Sequence, residues 1–429
     1  MKRILFTTQF WKGSRNYPQN ISSLSTQVKV KPNYLNGFLL QRNYSIKATG
    51  LDAGSETVQV EFSDGSKFDY PSVYLQDNCT CPSCYHPSSQ SRLRKLTELD
   101  LNNKVSTIKT LPDGNGVECK WMDGHTALFS EEWLKARRFT DDNIKIRKTT
   151  PRDNPRLAGS DVTFPRDSFK AMLSDDQKLL EMLQTFSKTG IYMLEGTPLE
   201  VGQLRKLGDK IGFIRLTHYG YEFTVKSEPN AVNLAYTSAR LGVHTDLPYY
   251  VYPPGVQLLH CIRQYAGNEG GQSHLVDAFR VALQMKEKYP EKYKILCEVP
   301  VEFFDVGTDY TSFFKVHHSP TFVLNPENGS MVRVVYSNQV LSSYMPLQQE
   351  LVKPVYEALK TFTDLCYKPE NLIEFKLKEG EVLIFDNWRF LHGREGFDIS
   401  KGHRHLEGCY IDWDEIYSRI RVIENSQRK

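Results

Sequence analysis

The chain has 429 residues, of which 40% are hydrophobic and 24% charged, and a formal net charge of +3. That is ordinary globular composition, enough for one large core and a smaller domain. No apolar run reaches the roughly 18 residues that would span a membrane, and no basic stripe or nucleic-acid-binding motif stands out, so neither a membrane nor a nucleic acid is an expected partner.

Before Asp52 there is no acidic residue, while Lys2, Arg3, Lys12, Arg15, Lys29, Lys31, Arg42 and Lys47 are mixed with serines. Such a start predicts a mitochondrial transit peptide over residues 1–48 and a matrix address, with a disordered basic leader on a cytoplasmic protein as the alternative. Cleavage near Tyr44 would remove seven basic residues and take the net charge from +3 to −4. Residues 49–140 carry short alternating runs broken by Asp64-Gly65, Asp113-Gly114 and Asp123-Gly124, which predict hairpins in a small β-rich domain. Residues 141–160, charged and holding Pro151 and Pro155, suit a linker. Residues 161–429 read as one mixed α/β, β-rich domain.

In that domain Ser174-Asp-Asp-Gln177 matches a capping box, and Leu179, Leu180, Met182, Leu183 and Phe186 form a helical apolar stripe. Thr189-Gly190 ends the helix, and a strand follows over 191–194. Amphipathic helices are expected over 279–297 and 347–366. Strand-like runs cover 256–262, 273–277, 320–324, 331–336, 381–386 and 404–412, with a hairpin at Asn328-Gly329.

His244-Thr-Asp246 is the first feature that carries chemistry. On an extended backbone residues i and i+2 share a face, so an imidazole and a carboxylate can grip one metal from adjacent corners. A second, distant histidine completes a facial triad suited to iron(II) with open positions. His392, after a strand-like run, is the best candidate. Arg404 follows twelve residues later. 2-Oxoglutarate chelates iron through its keto-acid end and leaves a carboxylate that needs a buried cation, which arginine's planar fork supplies. Strand parity puts Arg404 and Tyr410 on one face and turns His403 and His405 away.

Eight cysteines are present, and Cys79, Cys81 and Cys84 cluster while the others scatter. Scattered thiols suit a reducing compartment, and the cluster suggests a structural zinc site needing a fourth ligand. His86, Cys119 and His125 are the choices, of which His125 lies at a hairpin turn.

From about residue 55 onward the chain resembles the gamma-butyrobetaine dioxygenase (gamma-butyrobetaine hydroxylase) family of Fe(II)- and 2-oxoglutarate-dependent oxygenases. The matching stretches are Leu75-Gln-Asp-Asn-Cys-Thr-Cys-Pro-Ser-Cys84, Asn233-Leu-Ala-Tyr-Thr237, His244-Thr-Asp246, Pro253-Pro-Gly-Val-Gln-Leu-Leu-His-Cys261, Asp386-Asn-Trp-Arg389 with His392-Gly-Arg394, and Arg404-His-Leu-Glu-Gly408 with Tyr410-Ile-Asp-Trp413. The resemblance implies a double-stranded β-helix (jelly-roll) catalytic domain, a small zinc-binding N-terminal domain, and a homodimer. It favours His125 as the fourth zinc ligand and adds Leu259 and Ser273 to the 2-oxoglutarate residues. A trimethylammonium group cannot donate a conventional hydrogen bond and is held by aromatic faces. The resemblance makes Tyr219, Phe223, Tyr236 and Tyr410 that cage, with Tyr219 and Phe223 matched in strand parity, and Asn233 and Asn338 partners for the substrate carboxylate. Phe223 stands where the family has Trp, and Leu247 where it has Tyr. The expected reaction, with ascorbate as reductant, is hydroxylation of gamma-butyrobetaine at carbon 3 to L-carnitine, coupled to decarboxylation of 2-oxoglutarate to succinate. The rivals are a trimethyllysine dioxygenase and a non-catalytic β-barrel that binds methylated ammonium groups.

Overall fold

The computed structural model describes residues 45–427 except 53, 55, 151, 227–236, 266, 268–269 and 399–402. Nearly all of the expected leader therefore lies outside the described residues. Its last residues do not behave as a leader: strand Ile46–Leu51 pairs with Thr57–Phe62, and Ile46 is buried.

The first domain is built from two three-stranded antiparallel meanders. In one, Val58, Val60 and Phe62 alternate into the core, as period-two patterning requires. Asp64-Gly65, Asp113-Gly114 and Asp123-Gly124 all sit at turns between paired strands, and each glycine has positive φ, the conformation that glycine reaches without a Cβ penalty. Trp121 and Phe129 from the second meander pack with Tyr70 and Leu75.

The cavity of the second domain lies between a six-stranded and a four-stranded sheet. The larger runs in the order Glu222–Lys226, His405–Ile411, Val256–Arg263, Val382–Asp386, Ile191–Glu195 and Arg166–Ser168, and the smaller in the order Leu241–His244, Phe390–Arg394, Ser273–Asp277 and Leu372–Phe375. The larger sheet is buried on both faces. Met193, Leu383 and Phe385 point between the sheets, while Leu194, Val382 and Ile384 point to an outer layer of helices Asp176–Thr189, Gln203–Ile211 and Trp413–Gln427. Such two-sided burial gives continuous apolar runs rather than alternation. Helices Ala278–Lys288, Pro290–Glu298 and Gln349–Cys366 cover the outside of the smaller sheet. The fold is thus mixed α/β and β-rich, with the two facing sheets that the family resemblance implies.

Local differences have local causes. The expected helix over 279–297 is two helices, because Pro290 at the first turn of the second has no N–H to continue the first. The N-cap of helix Asp176–Thr189 is Asp175, whose carboxylate accepts from the backbone N–H of Gln177 and Lys178, and not Ser174, whose hydroxyl donates back to Lys170. Gly190 closes that helix at φ 71°. Residues 141–160 begin as helix Asp141–Lys148. The stretch after it is fastened to the sheets: Arg152 pairs with Asp386 at 2.8 Å, and Ala158 N–H donates to Asp277.

The fastening converges on one buried ion pair. Arg389 donates through Nε and Nη2 to both oxygens of Asp277, at 3.1 and 2.7 Å, and to the carbonyls of Lys188 and Arg156. Asp277 also caps helix Ala278–Lys288. Removing one member of such a pair strands a buried charge. Arg389→Ala should therefore lower the free energy of unfolding by about 3–5 kcal/mol in urea titrations. Arg389→Lys should recover little, because an ammonium cannot reproduce the fork. A loss under about 1 kcal/mol for Arg389→Ala would contradict this account.

Candidate active site

His244 ends strand Leu241–His244, and its Cα partner on the antiparallel strand Phe390–Arg394 is His392. Two histidines far apart in sequence become cross-strand neighbours, with ring centroids 4.3 Å apart. Asp246 joins them: Oδ1 lies 3.1 Å from His244 Nε2 and 3.6 Å from His392 Nε2. Adjacent ligand atoms on an octahedral ion sit about 3 Å apart, so the three side chains fit one metal. His244 Nδ1 lies 2.9 Å from the Gly242 carbonyl. Donation there fixes the tautomer and leaves Nε2 as the lone-pair nitrogen. Burial, then His244, pulls His392 down to about 3, so its imidazole is neutral and free to ligate. Burial pushes the Asp246 carboxyl up, and the Tyr410 hydroxyl, which donates to it, opposes that push and favours the carboxylate.

The triad is held by its backbone. Asn387 is fully buried; its Oδ1 accepts from Asp246 N–H at 2.9 Å and its Nδ2 donates to the Asp246 and Pro254 carbonyls. Thr245 N–H donates to Tyr336 O, and its hydroxyl donates to Val334 O. Leu247 follows at φ 55°, buried against the cavity, a strained conformation of a kind that clusters at functional sites.

The cavity beside the triad has a volume of ≈ 280 Å³. Arg404, Leu259 and Ser273 line it, together with Arg394, which was not anticipated from sequence. Burial lowers both guanidiniums to about 10, so both stay charged. Arg394 donates to the carbonyls of Thr237 and Ala239. Among the described residues neither arginine has an ion-pair partner, and both Nε atoms lack a hydrogen bond. A buried cation with unspent donors suits an incoming carboxylate. Arg404, Leu406 and Tyr410 face the cavity, whereas His403 is exposed and His405 lies opposite Lys226 in the sheet.

Tyr219, Phe223 and Tyr410 line the other side, with centroids 5.7 Å apart for Tyr219–Phe223 and 5.1 Å for Phe223–Tyr410. Tyr219 is not on a strand with Phe223. It sits in a turn that Gly220 closes at φ 91°, and the turn brings the two rings together. Tyr410 does more than present a ring: its hydroxyl donates to Asp246 Oδ2 at 2.6 Å. Asn338 is a correction. It is exposed and borders a neighbouring cavity with Tyr356 and Tyr367, whereas Ser337 and Gln339 on either side of it border both that cavity and the triad cavity. Asn233 and Tyr236 lie outside the described residues. Sequence reasoning quoted Asp386-Asn-Trp-Arg389 but gave Asn387 no role. It also missed Tyr249 and Asp305, which join this wall from a loop and a hairpin.

In the first domain, Cys79, Cys81, Cys84 and His125 bring their ligand atoms within 4.8 Å of one another. His125 Nε2 is 3.2 Å from Cys79 Sγ and 3.7 Å from Cys84 Sγ. A tetrahedral zinc ion separates sulfur and nitrogen ligands by about 3.6 Å. Burial pushes Cys79 up to about 12, so its thiolate needs a cation beside it. Cys119 is buried outside this cluster, and His86 is exposed and bonded to Ser89.

Comparison with known proteins matches residues 148–410 to the family described as taurine catabolism dioxygenase TauD, TfdA family, and residues 50–135 to the gamma-butyrobetaine hydroxylase-like N-terminal family. The chain is 36% identical to gamma-butyrobetaine dioxygenase of Homo sapiens, over 88% of this chain and 96% of that protein. It is 31% identical to the protein of that name from Pseudomonas sp. (strain AK-1), over 86% and 94%. It is also 31% identical to the mitochondrial trimethyllysine dioxygenase of Rattus norvegicus, over 83% of each.

Burial, followed by the Asp246 charge, pushes the Tyr410 hydroxyl well above its usual value, so it remains a proton donor. Tyr410→Phe removes the hydrogen bond that orients Asp246. Its affinity for divalent metal should fall about ten- to hundredfold in anaerobic titrations with iron(II) or manganese(II), and an unchanged affinity would refute that role.

Proposed function

The chain belongs to the taurine catabolism dioxygenase TauD, TfdA family, and on that premise we propose that it hydroxylates gamma-butyrobetaine at carbon 3 to give L-carnitine. The fold implies iron(II) and 2-oxoglutarate, and the residues fit both: His244, Asp246 and His392 would hold the metal, and Arg404 the distal carboxylate of 2-oxoglutarate. Together the two supply oxidative decarboxylation and the transfer of one dioxygen atom to a C–H bond. The protein's work is placement. Leu259 and Ser273 flank the co-substrate end, and Tyr219, Phe223 and Tyr410 form a wall that suits a cation without N–H groups. Leu247 and Leu406 help keep the space between apolar.

The observation that carries this reading is one cavity holding a complete triad, a buried arginine with no ion-pair partner among the described residues, and clustered aromatic rings. A non-catalytic binder of methylated ammonium groups needs only the rings. Relatives named gamma-butyrobetaine dioxygenase reach the higher identity and support that substrate over trimethyllysine. On this reading ascorbate keeps the iron reduced, a zinc ion braces the N-terminal domain through Cys79, Cys81, Cys84 and His125, and the enzyme is a homodimer. The acid-free start supports the mitochondrial matrix as its address.

With iron(II), ascorbate and 2-oxoglutarate, the protein should form succinate and carnitine in step when gamma-butyrobetaine is added. Trimethyllysine should be turned over at least about tenfold less efficiently, a transition-state difference of roughly 1.4 kcal/mol. No substrate-dependent succinate would sink the proposal, and faster turnover of trimethyllysine would replace it with the sister reaction. Cys81→Ser should lower bound zinc, measured by atomic emission, below one ion per chain and make the first domain sensitive to proteolysis. Full zinc occupancy would remove Cys81 from the ligand set.

A further inference from the structure

Arg404, just before strand His405–Ile411, and Tyr410 on it stand six residues apart, about 20 Å of extended chain, so the cationic and aromatic parts of the cavity are opposite ends. Asp246 is committed to the triad. Among the described residues that line the cavity, the one other carboxylate is Asp305. It projects from hairpin strand Val301–Thr308, accepts a hydrogen bond from the Val306 N–H and lies beside the Tyr249 hydroxyl, which is 3.4 Å from His218 Nε2. Tyr249 is buried and also hydrogen-bonded to Tyr219, which places Asp305 directly behind the aromatic rings.

Asp305 has no cationic partner among the described residues. Lys315 lies directly opposite in the hairpin, but its ammonium sits over the Tyr250 ring, 4.6 Å from the centroid. His218, also packed here, is pulled down to about 4 by burial and then by Lys315, so it is neutral. Burial holds the Asp305 carboxyl above its ordinary value, with the Tyr249 hydroxyl opposing. A half-buried carboxylate of this kind gains when a cation arrives. Aromatic faces attract any cation but supply no net charge.

We infer that Asp305 is the counter-ion for the substrate's fixed positive charge, and so the residue that makes this end of the cavity select a cation over a neutral group of the same shape. The inference deepens the trimethylammonium reading above and rests on it. The mixed wall matters more here because Phe223 is a weaker cation platform than tryptophan.

The test compares gamma-butyrobetaine with 5,5-dimethylhexanoate, in which carbon replaces the ammonium nitrogen. Both are titrated calorimetrically into the iron(II) enzyme with 2-oxoglutarate, without oxygen. Wild type should prefer the cation at least about tenfold. Asp305→Asn should bring that preference to within about twofold, through weaker binding of gamma-butyrobetaine alone. Tyr249→Phe, which keeps the carboxylate and removes its hydroxyl partner, should retain the preference. Equal weakening of both ligands in Asp305→Asn, an unchanged ratio, or Tyr249→Phe reproducing Asp305→Asn would overturn the inference. Turnover separates the two claims. Cation selectivity that depends on Asp305, without hydroxylation, upholds the counter-ion and rejects the reaction. Hydroxylation with a ratio insensitive to Asp305 does the reverse, and a wild type with no cation preference rejects the counter-ion.

Discussion

His244 and His392 face each other across two antiparallel strands, and the rest of the site is arranged around that register. The pairing sets two imidazoles 4.3 Å apart. Because side chains alternate along a strand, a slip of one residue would turn His392 out of the cavity altogether. Asp246 lies just beyond the paired segment, so its position depends on side-chain clamps: Asn387 grips its backbone from both sides, and Tyr410 orients its carboxylate. The strain at Leu247 is sustained by this over-determined surrounding.

The register itself depends on what surrounds the strands. Asp277 ends one strand of the smaller sheet and caps the helix that follows, while Arg389 enters the neighbouring strand. Their ion pair, together with Asp386 holding Arg152 and Trp413, ties the smaller sheet, the larger sheet and the segment before the catalytic domain into one unit. Buried ion pairs seldom add much stability over apolar packing. Here the pair fixes relative position, and position is what a metal triad built from two strands requires.

The cavity has electrical direction as well as shape. Two arginines without acidic partners among the described residues make one end attractive to a carboxylate. At the other end the rings of Tyr219, Phe223 and Tyr410 stand before Tyr249 and Asp305. A dipolar molecule or an anion–cation pair is oriented by such a field before any close contact forms. The triad lies between the ends, where the orientation has chemical consequence.

Much was legible in the sequence where local rules decide. Asp-Gly turns specify hairpins because few residues reach positive φ, Gly190 ends its helix for the same reason, and strand 273–277 has the bounds its pattern predicts. His244-Thr-Asp246 and the cysteine cluster declare their chemistry through short spacings that bring ligands together on any extended or turning backbone. The parity of Arg404 and Tyr410 follows from the pleat alone. What spacing cannot convey is which distant groups a fold brings together. Asn387 and Arg389 became clamp and hub, Arg394 and Asp305 became charges of the cavity, and Asn338 borders a neighbouring cavity. Those roles depend on sheet register and on which charges find partners. Both are properties of the assembled chain, because a side chain's electrostatic meaning is set by what is buried beside it.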